Sequence, residues 1–243
     1  MWTIFKKELS NYFSLLIAYI VIGIFVVVLG LLMWVFPDFS LLYFNYASLD
    51  QLFSVAPFLF LFVIPALSMR SFSEEIHTGT LESLLTKPIS ESEIVFGKFF
   101  ACLSMVMICL IPSLFYFYSV YQLGTPIGNI DTGAVLGSYI GLLFLASALV
   151  SIGIFCSAIA KNQVSAFLIA VLTGYAMYYG FYFVSKLPVF VGRVDDLIQR
   201  MGMEFHYNSI SRGYLDSRDL IYFSGIIFFF LWLTIQWIKN RLF

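Results

Sequence analysis

The sequence predicts an all-α integral membrane protein with six transmembrane helices, and three observations carry that prediction. Of its 243 residues, 61% are hydrophobic, 19% aromatic and only 11% charged, whereas soluble domains are about 45–50% apolar and about 25% charged. Its mean hydropathy is +0.94. Apolar runs able to cross roughly 30 Å of hydrocarbon, which takes about 20 helical residues, recur at 15–36, 51–69, 99–122, 134–160, 164–184 and 220–238. Every Lys, Arg, Asp and Glu falls outside the centres of those runs, where a charge would cost about 2.5–3.5 kcal/mol on insertion scales.

Before the first run, Trp2, Phe5, Leu9, Tyr12 and Phe13 recur at helical spacing, while Lys6, Lys7, Ser10 and Asn11 fill the other face. That pattern predicts an N-terminal interfacial helix over 1–14; a helical extension of the first span with snorkelling lysines is the other reading. The first run is too long for a signal-peptide core and lacks a small-residue cleavage site, so it reads as an uncleaved anchor. With six spans both termini share a side. On that side lie Lys6, Lys7, Arg70, Lys87, Lys98, Lys161, Lys239 and Arg241, whereas the short loops around 37–50 and 123–133 hold neither Lys nor Arg. The positive-inside rule then places both termini in the cytoplasm. The long segment 185–219 is the exception, its five basic residues being balanced by five acidic ones.

The predicted cytoplasmic connection 70–98 is well punctuated. Ser71 with Glu74, and Ser90 with Glu93, have the spacing of capping boxes that start helices. Between them Gly79 and Thr80 precede an apolar stripe of Leu81, Leu84 and Leu85, and Pro88 ends it. Leucines rimmed by Glu74, Glu75, Glu82 and Lys87 suit a groove on a soluble partner. They equally suit packing against the ends of the spans, and composition leaves both open.

A resemblance goes further. Ser73-Glu74-Glu75, Gly79 through Ser90 (GTLESLLTKPIS) and Glu93 through Lys98 (EIVFGK) resemble the cytoplasmic signature loop of type 2 ABC exporter permeases. Lys7-Glu8-Leu9, Tyr12-Phe13-Ser14 and Ala18-Tyr19 resemble the amphipathic entry of the same family. Over nearly the whole chain the likeness is strongest to its gliding-motility-associated branch in Bacteroidetes, as in Pro126-Ile127-Gly128-Asn129, Tyr139 through Phe144, Ser211-Arg212-Gly213 and Arg218-Asp219. The resemblance implies that 70–98 carries a cytoplasmic coupling helix docking into an ATPase subunit, with Glu74, Glu75, Thr80, Glu82, Leu84, Leu85 and Lys87 transmitting the ATP-driven movement. It implies further that ATP and Mg are bound by that partner, and that the permease pairs with a second copy or a related membrane subunit in the bacterial inner membrane. Consistently, the Gly97-Lys98 pair is followed by Phe99 and lacks the upstream glycine of a phosphate-binding loop, so this chain is expected to be no enzyme and to hold no cofactor.

Elsewhere the signals are local. Gly137 and Gly141 form a GxxxG pair, and Ser147, Ser151 and Gly153 extend the small-residue face, which predicts close packing on another helix, within the chain or across a dimer. Pro57, Pro65 and Pro112 predict kinks in the second and third spans. In 185–219, Val194, Leu197, Ile198 and Met201 recur at helical spacing opposite Arg193, Asp195, Asp196, Gln199 and Arg200. This predicts an amphipathic extracytoplasmic helix on the outer membrane surface, as a gate or as a plain cap. Cys102, Cys109 and Cys156 lie in apolar runs and read as small core residues. His77 and His206 stand alone, without a metal-site or triad pattern. A formal net charge of -1 offers no field for nucleic acid.

The function these features predict is a permease subunit of an ATP-driven exporter serving gliding motility or secretion, embedded in the lipid bilayer. The alternative is a membrane anchor or assembly factor of such a machine, without a transport path of its own. A membrane-embedded enzyme is disfavoured, because the spans hold no His, Asp or Glu at depth for acid-base work.

Overall fold

A computed structural model describes residues 1–14, 16–37, 47–86, 88–190 and 192–240, the side chains of Ile17, Ser83 and Leu85 excepted. Among the described residues the chain is all-helical. In order come α1 (Trp2–Ser14), α2 (Leu16–Trp34), α3 (Asp50–Ser68), α4 (Arg70–His77), α5 (Thr80–Leu85), α6 (Glu91–Leu110), α7 (Leu114–Leu123) and α8 (Thr132–Ile159). Then follow α9 (Gln163–Tyr175), α10 (Phe181–Ser185), α11 (Asp195–Gln199), α12 (Met203–Ile210) and α13 (Ser217–Asn240). Five helical segments are long and apolar enough to cross a membrane, and a sixth if α1 and α2, bent by 70° at their junction, count as one.

Lipid is as apolar as leucine, so what goes inside a membrane bundle is decided by shape more than by polarity. The centre is α8, which touches α3, α4, α6, α9, α12 and α13. Its buried positions include Gly137, Ser138, Gly141, Ala146, Ala148, Ser151, Gly153 and Ser157, a small-residue surface that lets neighbouring backbones close in. By contrast Leu168 and Leu172 of α9 and Phe228 of α13 are largely exposed, as outer helices in lipid would be.

Proline interrupts the third span but not the second. Pro57 and Pro65 lie inside α3, which runs on to Ser68, and α4 then continues after the single residue Met69. At Pro112 the α-helix gives way to one 3-10 turn, Ile111–Ser113, before α7. There the Ser113 hydroxyl lies 2.9 Å from the Tyr139 hydroxyl of α8 and donates to the Leu110 carbonyl at 2.6 Å. A π-helical turn, Ala176–Gly180, interrupts the fifth span between α9 and α10.

The capping expectations divide. Ser90 and Glu93 form a complete capping box at the start of α6. The Ser71–Glu74 pair does not cap: α4 begins one residue earlier, Ser71 is buried inside it, and Glu74 turns back to Arg70 instead. The first amides of α4 are met from outside the segment. The Ser157 hydroxyl of α8 accepts from the amides of Phe72 and Ser73, both at 3.0 Å, and donates to the Met69 carbonyl at 2.9 Å. Because α3 leads almost directly into α4, a free helix start, where a capping box acts, never arises.

In the segment 185–219 the predicted amphipathic helix is the single turn-and-a-half α11, with Leu197 and Met201 exposed. A second helix there, α12, carries no such prediction. It buries Met203, Tyr207 and Ile210 in the bundle, and the Tyr207 hydroxyl donates to the Phe53 carbonyl of α3 at 2.7 Å. The glycines of α8 make room for it. A Cβ on Gly141 would collide with Ile210, and one on Gly137 would stand 2.7 Å from the Gly213 carbonyl oxygen. The Ser138 hydroxyl between them donates to the Ser211 carbonyl at 2.8 Å. Thus the GxxxG face meets this chain's own α12 and the turn after it.

Candidate functional site

The hairpin α4–α5 and the start of α6 form one end of the bundle, and α1 lies directly across it. Gly97 permits that approach: a Cβ there would sit 2.9 Å from Ile4 Cγ2 and 3.2 Å from the Met1 carbonyl oxygen. Ile4 is the buried residue of α1, and the next residue on its face, one turn on, is Glu8. The face that reads as polar in sequence is therefore not simply solvated. Lys7, Glu8 and Asn11 look into a cavity of about 500 Å³ shared with Arg70, Glu74, Glu75, Thr78, Thr80 and Lys98.

At the root of that cavity sits Lys98, 1% exposed. Its ammonium donates to Glu8 Oε1 at 3.0 Å and to the Ser71 carbonyl at 2.5 Å. It also lies 3.0 Å from Glu75 Oε2, close enough for Coulombic attraction but without hydrogen-bond geometry. The Phe72 ring stands 4.8 Å beneath it. Glu75 in turn accepts from Lys7 at 3.2 Å, and Lys7 is 3.7 Å from Glu8. Two carboxylates and two ammonium groups thus join α1, α4 and α6, and the buried cation is met on several sides, the condition under which a buried charge is tolerated. Nearby the Tyr12 hydroxyl donates to the Leu67 carbonyl at 3.0 Å, fastening α1 to the last turn of α3.

The residues singled out in sequence divide between this joint and the surface. Glu75 belongs to the joint. Glu74 is half-buried and holds Arg70 through two bonds of 2.7 and 2.8 Å. Thr80 and Glu82 are exposed, with the Thr80 hydroxyl 2.9 Å from that of Thr78. Leu81 is buried and Leu84 packs partly against the core, so these two leucines of the stripe face inward. Leu85 ends α5, and its side chain, like the whole of Lys87, lies outside the described residues. Gly79 starts α5 in the left-handed region at φ 69°, which glycine adopts without strain. Gly137 and Gly141 stand towards the other end of α8, against α12.

Glu8 and Lys98 fall within the stretches that carry the family resemblance, but nothing in the sequence pairs them, and Ser157 carries no sequence signal at all. Lys98 leaves a trace: it falls in register with Ile94, Cys102 and Met105, an apolar stripe that is buried throughout. A lone cation on such a stripe needs an anion brought from elsewhere in the chain.

The geometry ties three helices together through charge: α1, α4 and α6 meet at Lys98, Glu8 and Glu75. No group of His, Cys, Asp and Glu that could hold a metal ion occurs among the described residues. A protein-family model, described as ABC-2 family transporter protein, matches residues 2–192, from the start of α1 to the turn before α11. Comparison with curated proteins gives no match.

Proposed function

Because this chain belongs to the ABC-2 family of transporter proteins, we propose that it is the permease subunit of an ATP-driven exporter, with the α4–α5 hairpin receiving movement from a separate ATPase. Members of this family are membrane subunits, generally non-catalytic, that typically work with an ABC ATPase in a lipid bilayer. The observation that carries the reading here is the buried Lys98. By holding Glu8 and Glu75 together it makes α1, α4 and α6 move as one body, so force applied to the hairpin passes into the spans. ATP and Mg belong to the ATPase in this scheme, and the exposed Thr80 and Glu82 are the contacts it would touch first. Both termini are cytoplasmic, and the complex is completed by a second permease copy or a related membrane subunit. The resemblance to the gliding-motility permease GldF supports service in gliding or associated secretion across the inner membrane.

The test is association. The chain is co-expressed with candidate ATPases from its own source, and those that co-purify are identified. Glu82→Lys with Thr80→Ala is expected to abolish co-purification while leaving the permease folded, because both side chains are exposed. Undiminished association and transport would reject the reading. Unchanged function with an ATPase-dead partner would instead favour the anchor or assembly role. Sidedness is checked by placing a cysteine at Glu82, in a chain whose three native cysteines are buried. Labelling from outside the cell would overturn the orientation.

A further inference from the structure

The end of the bundle opposite the hairpin holds a cavity of about 90 Å³ between the π-helical turn and the start of α12. Tyr178, Tyr182 and Phe205 give it aromatic walls, Gln199 and Asn208 bring side-chain amides, and Glu204 brings a carboxylate. Glu204 Oε2 is sealed from solvent and has no hydrogen-bond partner. Among the described residues Glu204 takes part in no salt bridge. His206, two positions on, is already engaged, with Nδ1 2.7 Å from Asp219 Oδ1 and Nε2 2.9 Å from the Arg200 carbonyl oxygen. Burial accordingly pushes the Glu204 carboxyl above its ordinary value.

These features select one kind of occupant. An anion is refused by the carboxylate, and a purely apolar group would leave it unpaired at a cost. A hard metal ion requires several oxygen ligands, typically six or more at about 2.0–2.6 Å, whereas this lining offers one carboxylate and two side-chain amides among three aromatic rings. An ammonium group carrying carbon satisfies the whole lining: its N–H bonds meet Glu204 and the amide oxygens, and its methylenes and diffuse charge meet the aromatic faces. At roughly 30 Å³ per water-sized group, the cavity takes a head of about three heavy atoms. The rim is open, with Tyr182 39% and Phe205 44% exposed, so the head of a longer molecule can enter with its tail outside. The adjoining π-turn belongs to a class of helix irregularity that recurs at functional sites.

We propose that this cavity binds an organic ammonium group, with Glu204 as counter-charge and Tyr178, Tyr182 and Phe205 as its aromatic walls. The site stands independently of the transport reading, and five of its seven lining residues, Gln199, Gly202, Glu204, Phe205 and Asn208, lie beyond the matched family region. A free amine and the headgroup of an aminophospholipid share the required chemistry.

The test uses the full chain in nanodiscs of phosphatidylglycerol, titrated with ethylammonium chloride or sodium chloride at constant ionic strength, with the thermal midpoint as readout. Ethylammonium is expected to raise the midpoint saturably and sodium to leave it unchanged. Tetrapropylammonium, too large for the cavity, should leave it unchanged as well. Glu204→Gln should weaken ethylammonium binding by about tenfold or more, with a ligand-free midpoint at or above that of the parent. Tyr182→Leu should weaken it several-fold. Repeating the titration in phosphatidylethanolamine separates the sources: a curve displaced to higher concentration assigns the headgroup, and an undisplaced curve assigns the free amine. Lack of saturation, an equal response to sodium, or full binding by Glu204→Gln would overturn the proposal.

Discussion

Glu75 and Glu204 lie near opposite ends of one bundle, yet Glu75 sits 3.2 and 3.0 Å from two ammonium groups while Glu204 faces none. The charges under the hairpin are mutually neutralising, so that end is electrostatically complete as it stands. The opposite end holds a carboxylate whose complement the chain does not supply. The two carboxylates therefore differ in what surrounds them: Glu75 is matched within the chain, whereas Glu204 Oε2 is sealed without a partner.

The sharpest way to break this contrast is to remove the cation that completes the joint. Lys98→Ala leaves the half-buried Glu8 and Glu75 with only the more exposed Lys7 as a counter-charge and is expected to cost about 3–5 kcal/mol, read as a lowered unfolding midpoint in detergent. Lys98→Ala with Glu8→Gln should recover part of that loss, and strict additivity of the two would refute the network. Next in size, Gly141→Ala drives a methyl into Ile210 and should cost about 1–3 kcal/mol. Ile210→Ala should be markedly less harmful in that background than alone, which a double-mutant cycle measures. Ser157→Ala strands the amides of Phe72 and Ser73 and should cost about 1–3 kcal/mol, with faster hydrogen exchange at those two amides and little change at α12. The smallest effect concerns pH. Because the Glu204 carboxyl is raised above its ordinary value near 4.5, the folded state holds its proton more tightly than the unfolded one. The stability this gives is full below about 4.5 and lost as pH rises through the folded value. Glu204→Gln should flatten that slope in a pH series of melting curves, and added ethylammonium should oppose it.

How much of this was legible in the sequence depended on distance along the chain. The apolar runs and the Ser90–Glu93 box are local, and they correspond directly to helices. The Gly79 turn and α5 are equally local. Ser71–Glu74 has the same spacing as the real box, but the helix preceding it does not stop, a fact held in the packing of Met69 against Ser157 some 88 residues away. The joint is concealed for the same reason, since Lys98 and Glu8 are 90 positions apart. Helix α12 is hidden in another way. Its inward residues, Met203, Tyr207 and Ile210, alternate with Glu204, His206 and Asn208 over only eight positions, too short a stretch for periodicity to separate from a polar loop. The second half of its identity is supplied by Gly137 and Gly141, whose partner no spacing rule could name.

One consequence attaches to the hydroxyl that holds the elbow between α3 and α4. Since Ser157 is carried by α8, opening the elbow either breaks three hydrogen bonds or takes α8 with it. That helix has 28 residues, a rod of about 42 Å at 1.5 Å per residue, and Gly137 and Gly141 near its other end are wedged beneath α12. In the proposed exporter, α8 is thus a single member that spans from the elbow to α12 and could carry a push from one to the other.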